Sequence, residues 1–565
     1  MSRSMAGINR RRLLGATVLG SAGGLFLAAC GGGGKDEAPA SGSSASGTRG
    51  LATTPPQAAG APKKDPVKGG TLANVLAGDP PNLDLHANST YLVNHSMSPV
   101  FNQLVKFDPD ITKESPESIV ADLAKSWEQS GDGLKYTFKL EQGVTFHDGK
   151  PFSSADVKAT LERVASPPKG LVSPRQDSLG VLDKIETPDP STVVITLKRP
   201  APSLMPILAQ GWMGIYNAQD IGGSFDFKLK TNGTGPFKLK EYIRGNRLTV
   251  EANPSYFVKG LPHLAGITTY IMPDAGARVS AFQSGQVMFS ALLSPSDLKA
   301  LEPVLKEKMV AQRHNGFGFN TVNFGAGPGT PWRDERVRRA ISLGINRQES
   351  IDLLYEGEGQ LGGYMPGGGA WALSEADTTA LPGYTPYSDK TIAEAKQLLA
   401  AAGIKQGHQV TLMTRIGTSE NLSLFLKDQF AKIGIDAKPQ VLVDAAAYEA
   451  LDNRNFDLAP WGHAIALDDP DAIFAEFYLS QSPRNYSGLG SNVVDDLFAK
   501  QSQTLNAQER GKLVTEMQKQ ALPLYGKVIL AWSLRRWSYS NKVQNYVPHV
   551  GLYNNNRHAG TWLEK

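Results

Sequence analysis

From residue 31 to residue 68 the chain runs GGGGKDEAPASGSSASGTRGLATTPPQAAGAPKKDPVK, with hardly a large apolar side chain in it. Such a segment cannot bury enough apolar surface to offset the entropy of ordering its backbone. It reads as a flexible tether, so whatever folds is built from residues 69–565. That body is long enough for a large core and for several domains of about 100–200 residues each, which excludes small disulfide-stapled scaffolds. The single cysteine, Cys30, can form neither an internal disulfide nor a cysteine metal site. With 58 Lys and Arg against 54 Asp and Glu, the chain lacks the basic excess of a nucleic-acid binder.

Ahead of the tether, Asn9-Arg10-Arg11-Arg12-Leu13-Leu14-Gly15 leads into an apolar run that ends at Cys30. A basic head, a short apolar run and small residues before a cleavage point make residues 1–29 a secretory signal. The Arg10–Arg11 pair resembles a twin-arginine export signal, although Leu13 and Gly15 stand where that pattern prefers Phe and Lys. Leu27-Ala28-Ala29-Cys30 resembles a bacterial lipobox, which implies a lipid on Cys30 as the first residue of the mature chain. The run from Leu13 to Ala29 contains four glycines and is short for a spanning helix, which takes about 20 apolar residues. The expectation is an exported lipoprotein held at a membrane face, with residues 30–68 as its tether. Residues 1–29 hold four arginines and no acid, so their removal takes the formal charge from +4 to 0. The excess positive charge belongs to the export address.

The body shows two kinds of pattern. In the first half, Tyr136, Phe138 and Leu140 alternate with polar residues, the period of a half-buried strand. Gln142-Gly143 turns the chain there and Val144 to Phe146 returns it; His147-Asp148-Gly149 is another turn. Ser153 starts a helix with Asp156 as its capping-box partner, and Thr192 to Leu197 is a β-branched strand. In the second half, Ile392, Ala395, Leu398, Leu399 and Ala402 share a helix face. A strand from Gln409 to Met413, a helix from Leu422 to Ile433 and a strand from Ile435 to Val443 follow. Such β-α-β alternation predicts a mixed or parallel sheet flanked by helices, hence an α/β class.

Several blocks, in order, resemble the extracytoplasmic solute-binding proteins of ABC importers, family 5, the dipeptide, oligopeptide and nickel-binding group. They include Gly69-Gly70-Thr71-Leu72, Gly78-Asp79-Pro80-Pro81-Asn82-Leu83-Asp84, Ala121-Asp122-Leu123-Ala124-Lys125-Ser126-Trp127-Glu128 and Val144-Thr145-Phe146-His147-Asp148-Gly149. Gly233-Thr234-Gly235-Pro236-Phe237, Arg336-Val337-Arg338-Arg339-Ala340-Ile341-Ser342 and Asn485-Tyr486-Ser487-Gly488 continue the series. The resemblance implies a two-lobed type II periplasmic-binding-protein (Venus-flytrap) fold with an inserted β-rich domain. One lobe would comprise residues 69–112, 233–322 and 539–565, the insert 113–232, and the other lobe 323–538. Chain crossings near Phe319-Asn320-Thr321 and Trp537-Ser538-Tyr539 would be the hinge. The implied partners are a peptide or other small solute, bound between the lobes, and the permease subunits of an ABC transporter.

The same resemblance supplies candidate ligand residues. Family members write roughly Trp-Gly-x-x-Ala-Asp-Tyr-Pro-Asp-Pro-Asp where this chain has Trp461-Gly462-His463-Ala464-Ile465-Ala466-Leu467-Asp468-Asp469-Pro470-Asp471. In the family's peptide binders the first Asp pairs with the peptide's ammonium; here Ala466 takes its place. Either Asp468 or Asp469 substitutes after a local shift, or the ligand lacks a free amine. The cost of desolvating an unpaired ammonium favours the second reading. Trp461 is a pocket wall or a core residue, and His463 a ligand contact or a satisfied polar side chain. Ser89, Thr90 and Tyr91 follow the first turn, where the family's cleft rim lies, and Asn485 and Tyr486 are further candidates. His147-Asp148 is read as a turn, and the Arg336, Arg338, Arg339 cluster as a solvent-exposed helix face. No cofactor or metal is expected: the nine histidines are scattered and none pair at metal-helix spacing. Gly-x-Ser-x-Gly, Walker and His-Glu-x-x-His motifs are missing. An exported hydrolase, or a sensor or chaperone on the same fold, are the rival readings.

Overall fold

A computed structural model describes residues 65–415 and 419–565. Arg10, Arg11, Cys30 and nearly all of the tether lie outside the described residues. Among the described residues, no helix is long and apolar enough to cross a membrane.

Thr71–Leu76 is a strand in which Leu72, Asn74, Val75 and Leu76 are all buried. Burial on both faces belongs to the middle of a sheet. This strand lies parallel to Gly266–Ile271 on one side and to Phe289–Ser290 on the other. Arg247–Ala252 and Phe237–Ile243 extend the sheet outward. At the other end, His408–Arg415 runs parallel to Ile435–Leu442, with His408 opposite Ile435. The helix Glu420–Lys432 makes the crossover and buries Leu422, Phe425, Leu426 and Phe430. This is the β-α-β unit expected from the pattern.

Two long antiparallel strands, Met309–Phe324 and Lys527–Ser540, join the two ends into one eleven-stranded sheet. Residues 309–315 pair with 534–540 and residues 319–323 with 527–532, and the register slips between Asn315 and Phe319. Gly316 sits in the slip, where a Cβ would fall 2.4 Å from the Ser533 carbonyl oxygen. Only glycine lets the two backbones approach that closely.

The β-rich insert is a four-stranded antiparallel sheet: Ala124–Gln129, Lys135–Leu140, Thr192–Leu197 and Leu182–Asp189, in that order. Tyr136, Phe138 and Leu140 are buried as their alternation predicts. The helix Ser154–Ala165 begins with the expected box, the Asp156 carboxylate accepting from Ser153 N at 2.7 Å and Ser153 Oγ at 3.2 Å. Residues 144–146 do not return along the strand before them. Both edges of Lys135–Leu140 are already taken by the strands at 124–129 and 192–197. Thr145 instead bridges to Pro151 across the His147-Asp148-Gly149 turn.

The apolar cores follow this division. One groups residues between Leu104 and Ile215 with Leu467. A second is centred on Leu72, Phe101, Trp212, Phe289 and Trp537. A third runs from Phe317 to Trp532. The arginine cluster on Glu335–Leu343 is not a uniformly exposed face. Arg336 is exposed, but Arg338 is buried and donates to the carbonyls of Trp332 at 2.8 Å, Arg333 at 2.9 Å and Leu524 at 3.0 Å. Its five donors close off carbonyls that would otherwise be buried without partners.

Candidate functional site

A cavity of about 230 Å³ opens beside the register slip. His314, Asn315 and Phe317 of the long strand form its floor, and residues 112–114 and Val550 one wall. Residues 368–370 and Asp468 form the other. The first wall comes from the connection between Val105–Phe107 and Ile119–Ala121 and from the C-terminal segment. Asp468 lies between the strand Leu458–Ala464 and the helix Pro470–Phe477. The lining is mostly apolar with a few polar groups, the usual make-up of a small-molecule pocket.

The polar groups differ in how free they are. Glu114 is buried and fully engaged: it accepts from Gly551 N at 3.1 Å and Asn554 Nδ2 at 2.7 Å, with His549 Nδ1 at 3.3 Å. His314 shares a 3.1 Å hydrogen bond with Gln312 Oε1, and burial, with the nearby His549, lowers its pKa. Asp468 has one oxygen committed and one not. Its Oδ2 accepts from Ala370 N at 2.9 Å, whereas its buried Oδ1 has no partner among the described residues. Burial, reinforced by the neighbouring Asp469 and Glu114 carboxylates, pushes the Asp468 pKa up to about 7. Gly369 packs directly on this carboxylate; a Cβ there would lie 2.5 Å from Asp468 Oδ2.

Of the nine expected ligand residues, Asp468 lines the cavity and the other eight do not. Asp469 is spent in a buried, two-pronged ion pair with Arg510, at 2.9 and 3.0 Å, and also accepts from Asp471 N at 2.9 Å. It is a helix cap and a counter-ion, and has no oxygen turned to the cavity. Trp461 is buried in a small cluster with Met413, Ala447, Leu451, Ala459 and Tyr486. His463 is buried between the rings of Phe319 and Phe477, with centroids at 5.2 and 5.0 Å. Its Nε2 has no hydrogen-bond partner among the described residues. Burial, with the cation of Lys527 nearby, holds its pKa well below the usual value. Asn485 holds a loop, donating to the carbonyls of Leu479 at 3.0 Å and Leu489 at 2.8 Å.

The proposed rim is built as a turn followed by a helix. Thr90 Oγ1 accepts from Leu92 N at 3.3 Å and starts the helix Tyr91–Met97. The Tyr91 hydroxyl meets His95 Nδ1 at 2.9 Å, and Ser89 is exposed. Arg175 fastens the preceding turn by donating to the carbonyls of Leu85 at 3.0 Å, His86 at 3.4 Å and Asn88. The cavity residues 112–114, 314, 315, 317, 368–370 and 550 escaped the sequence reading. The glycine run at 367–369 was the one visible signal, a close backbone approach awaiting a partner.

Among the described residues, no group of His, Cys, Asp and Glu could hold a metal ion. The family model of bacterial extracellular solute-binding proteins, family 5 Middle, matches residues 118–485. A Brucella ovis protein named for ABC transporter peptide binding is 30% identical over 373 residues, covering 64% of this chain and 66% of its own length. The match thus spans just under two thirds of that relative. Among solved structures, the periplasmic binding protein DppA of Helicobacter pylori, in complex with the peptide STSA, superposes with a TM-score of 0.74 at 24% identity, over 88% of this chain and 99% of that one. AgaA of A. tumefaciens R10, in complex with agropinic acid, gives 0.71 at 26% identity over 88% and 99%. The fold is that of the two-lobed type II periplasmic binding proteins, with an additional domain. The chain belongs to the bacterial extracellular solute-binding proteins, family 5.

Proposed function

We propose that this chain is an extracytoplasmic solute receptor of an ABC importer, which captures a peptide or peptide-like solute in the cavity at the register slip. The observation that carries the reading is the unpartnered, buried Oδ1 of Asp468 at the cavity wall. A buried acceptor without a donor is costly, and a ligand that supplies an ammonium or N–H removes the cost. Asp468 then does the work of the acid that Ala466 lacks, two positions further along. Relatives bound to STSA and to agropinic acid support both peptide and other small solutes for this fold. The chain crossings at Phe319-Asn320-Thr321 and Trp537-Ser538-Tyr539 are the hinge of this reading, and the ladder of the two long strands is already interrupted beside the first of them, between Asn315 and Phe319. A ligand touching both walls favours the closed form by its differential affinity alone. The lobe and insert boundaries follow the division given by the family resemblance. Release to the permease of the transporter follows opening.

An amine ligand must compete with the proton on Asp468. With the pKa pushed to about 7, its affinity is expected to be flat above that pH and to fall by up to about tenfold per unit below it. Asp468→Asn is expected to abolish this pH dependence and weaken amine binding about 100-fold. Titration calorimetry of a peptide library against both proteins between pH 5 and 8.5 tests this. Equal, pH-independent binding by wild type and variant overturns Asp468 as the anchor.

The membrane attachment is read from the signal. With a diacylglyceryl group and an acyl chain on Cys30, each CH₂ adds about 0.8 kcal/mol of membrane affinity, and two signals or more give stable anchoring. Cys30→Ala is expected to move the protein from the membrane to the soluble extracytoplasmic fraction. A variant that still sediments with membranes overturns lipidation at Cys30.

A further inference from the structure

The apolar core that groups residues between Leu104 and Ile215 has one further buried member among the described residues, Leu467, which is 3% exposed. The residues that follow it face elsewhere. Asp468 lines the cavity. Asp469 is tied to Arg510 of the helix Ala507–Ala521, and Asp471 accepts from Gln501 at the end of the helix Asn492–Gln501. An apolar core is ordinarily one contiguous cluster per domain. A single side chain that reaches it from residue 467 therefore marks a joint between two bodies.

Around Leu467 the joint is held by a few contacts. Ser203 Oγ donates to Asp471 Oδ2 at 2.6 Å. The Arg199 guanidinium donates to the Ser502 carbonyl at 3.1 Å and to its hydroxyl at 3.3 Å. Leu505 rests on the turn after the strand Ala124–Gln129, where a Cβ on Gly133 would fall 2.6 Å from Leu505 Cδ1. Each of these contacts has at most one charged group. The strong fastening, the ion pair of Asp469 with Arg510, lies wholly on one side of the joint. Polar contacts of this kind between domains permit relative motion by default.

The joint borders the cavity. The wall at residues 112–114 is carried by Val105–Phe107 and Ile119–Ala121, and both strands contribute to the Leu104–Ile215 core. Leu467 enters that same core from the position next to Asp468, on the opposite wall. Docked, Leu467 holds the two walls together; withdrawn, it lets them part.

We propose that Leu467 is a releasable plug, seated in the Leu104–Ile215 core while the cavity is closed and withdrawn when the hinge opens, so that this core is the clasp for the Asp468 wall. The proposal rests on the hinge of the receptor reading and deepens it. Leu467 touches no solute; it is a positioning residue that acts through Asp468. Burial of its apolar surface favours the closed form before any solute arrives. The apparent affinity for a solute is then scaled by the fraction of molecules already closed.

The test is labelling by a maleimide in the chain carrying Cys30→Ser, where an introduced thiol is the only one. Leu467→Cys and Ser203→Cys put probes on the two sides of the joint, and Val193→Cys, fully buried in the same core, reports unfolding. Each rate is taken relative to that of the same thiol in denaturant. Without solute, both joint probes are expected to react about 100-fold faster than Val193→Cys, because one opening exposes both at a lower free energy than unfolding. Joint probes no faster than Val193→Cys show a permanent core and overturn the plug. A fast probe on one side alone shows local fraying and overturns it as well. Leu467→Ala is expected to raise the Ser203→Cys rate about tenfold and to leave the Val193→Cys rate unchanged. An unchanged Ser203→Cys rate, or an equal rise at Val193→Cys, gives Leu467 a structural role only and overturns the proposal. This comparison also decides the matter if Leu467→Cys does not fold. A tetrapeptide library is expected to slow both joint probes; no slowing counts against peptide capture alone, and the solute-free rates still decide the plug.

Discussion

Arg510→Ala is expected to destabilise the second half of the protein by about 3–5 kcal/mol, because it leaves the buried Asp469 carboxylate without its counter-ion. Both partners are almost inaccessible to solvent. The guanidinium spans Asp469 with two hydrogen bonds and reaches Gln501 Oε1 with a third at 3.0 Å. Gln501 in turn donates to Asp471 at 2.5 Å, and Asp471 accepts from Ser203 Oγ at 2.6 Å. The same guanidinium lies 4.8 Å from the Trp371 ring, whose Nε1 donates to the Asp468 carbonyl at 3.1 Å. Arg510 is therefore a positioning residue for the Asp468 wall as well as a structural one. Lysine offers a single point charge and cannot reproduce the fork, so Arg510→Lys is expected to recover only part of the loss. Removing both charges, as in Asp469→Leu with Arg510→Met, is expected to be milder than Arg510→Ala, since no ion is left stranded. Denaturant titration of the four proteins measures this; an unchanged midpoint for Arg510→Ala refutes it.

Lys527→Met is expected to change sign with pH. Lys527 is buried, donates to Asn323 Oδ1 and to the Arg484 carbonyl at 3.3 Å, and has the Tyr486 and Phe477 rings at 5.1 and 5.7 Å. Among the described residues it makes no ion pair with an acid. Burial first, then repulsion by Arg484, pushes its pKa down to about 7. A lysine whose folded pKa lies below its unfolded value destabilises the fold fully at pH below the folded pKa. The penalty fades as pH rises from about 7 toward the unfolded value near 10.4. Its full size is on the order of 4 kcal/mol. Methionine removes it but leaves two acceptors unpartnered, at about 1–3 kcal/mol. The variant is therefore expected to be more stable than wild type at pH 6 by about 2 kcal/mol and less stable at pH 10 by a similar amount. Unfolding curves at the two pH values that shift in the same direction would refute the assignment. Tyr486 is bound into this problem, because its ring faces the Lys527 cation. It is thus packing for a buried charge, which its polar hydroxyl and its place in a family motif did not disclose.

Local elements were readable because they depend on neighbours in the chain. The Ser153–Asp156 box, the alternation of Tyr136, Phe138 and Leu140, and the β-α-β unit from His408 to Leu442 all appear where their periodicity puts them. Errors came where a distant segment decides. Val144–Phe146 has strand composition, yet the ladder positions beside Lys135–Leu140 are filled from residues 124–129 and 192–197. Arg338 belongs to a run of arginines that looks solvated, yet the carbonyls of Trp332, Arg333 and Leu524 converge on it. Asp468 and Asp469 are adjacent and chemically identical. Arg510, 41 residues further along the chain, takes one of them and leaves the other to the cavity.

The α/β class and the family were legible in the amino-acid sequence alone, which also carries the proposed export address and tether. These are properties of composition, period and ordered motifs, all of them local along the chain. The tertiary structure decided which residues meet around the cavity, the proposed solute site. The cavity is assembled from residues 112–114, 314, 315, 317, 368–370, 468 and 550, drawn from segments far apart along the chain. The free carboxylate oxygen of Asp468 is a statement about a partner missing in space, and spacing along a chain carries no record of a missing partner.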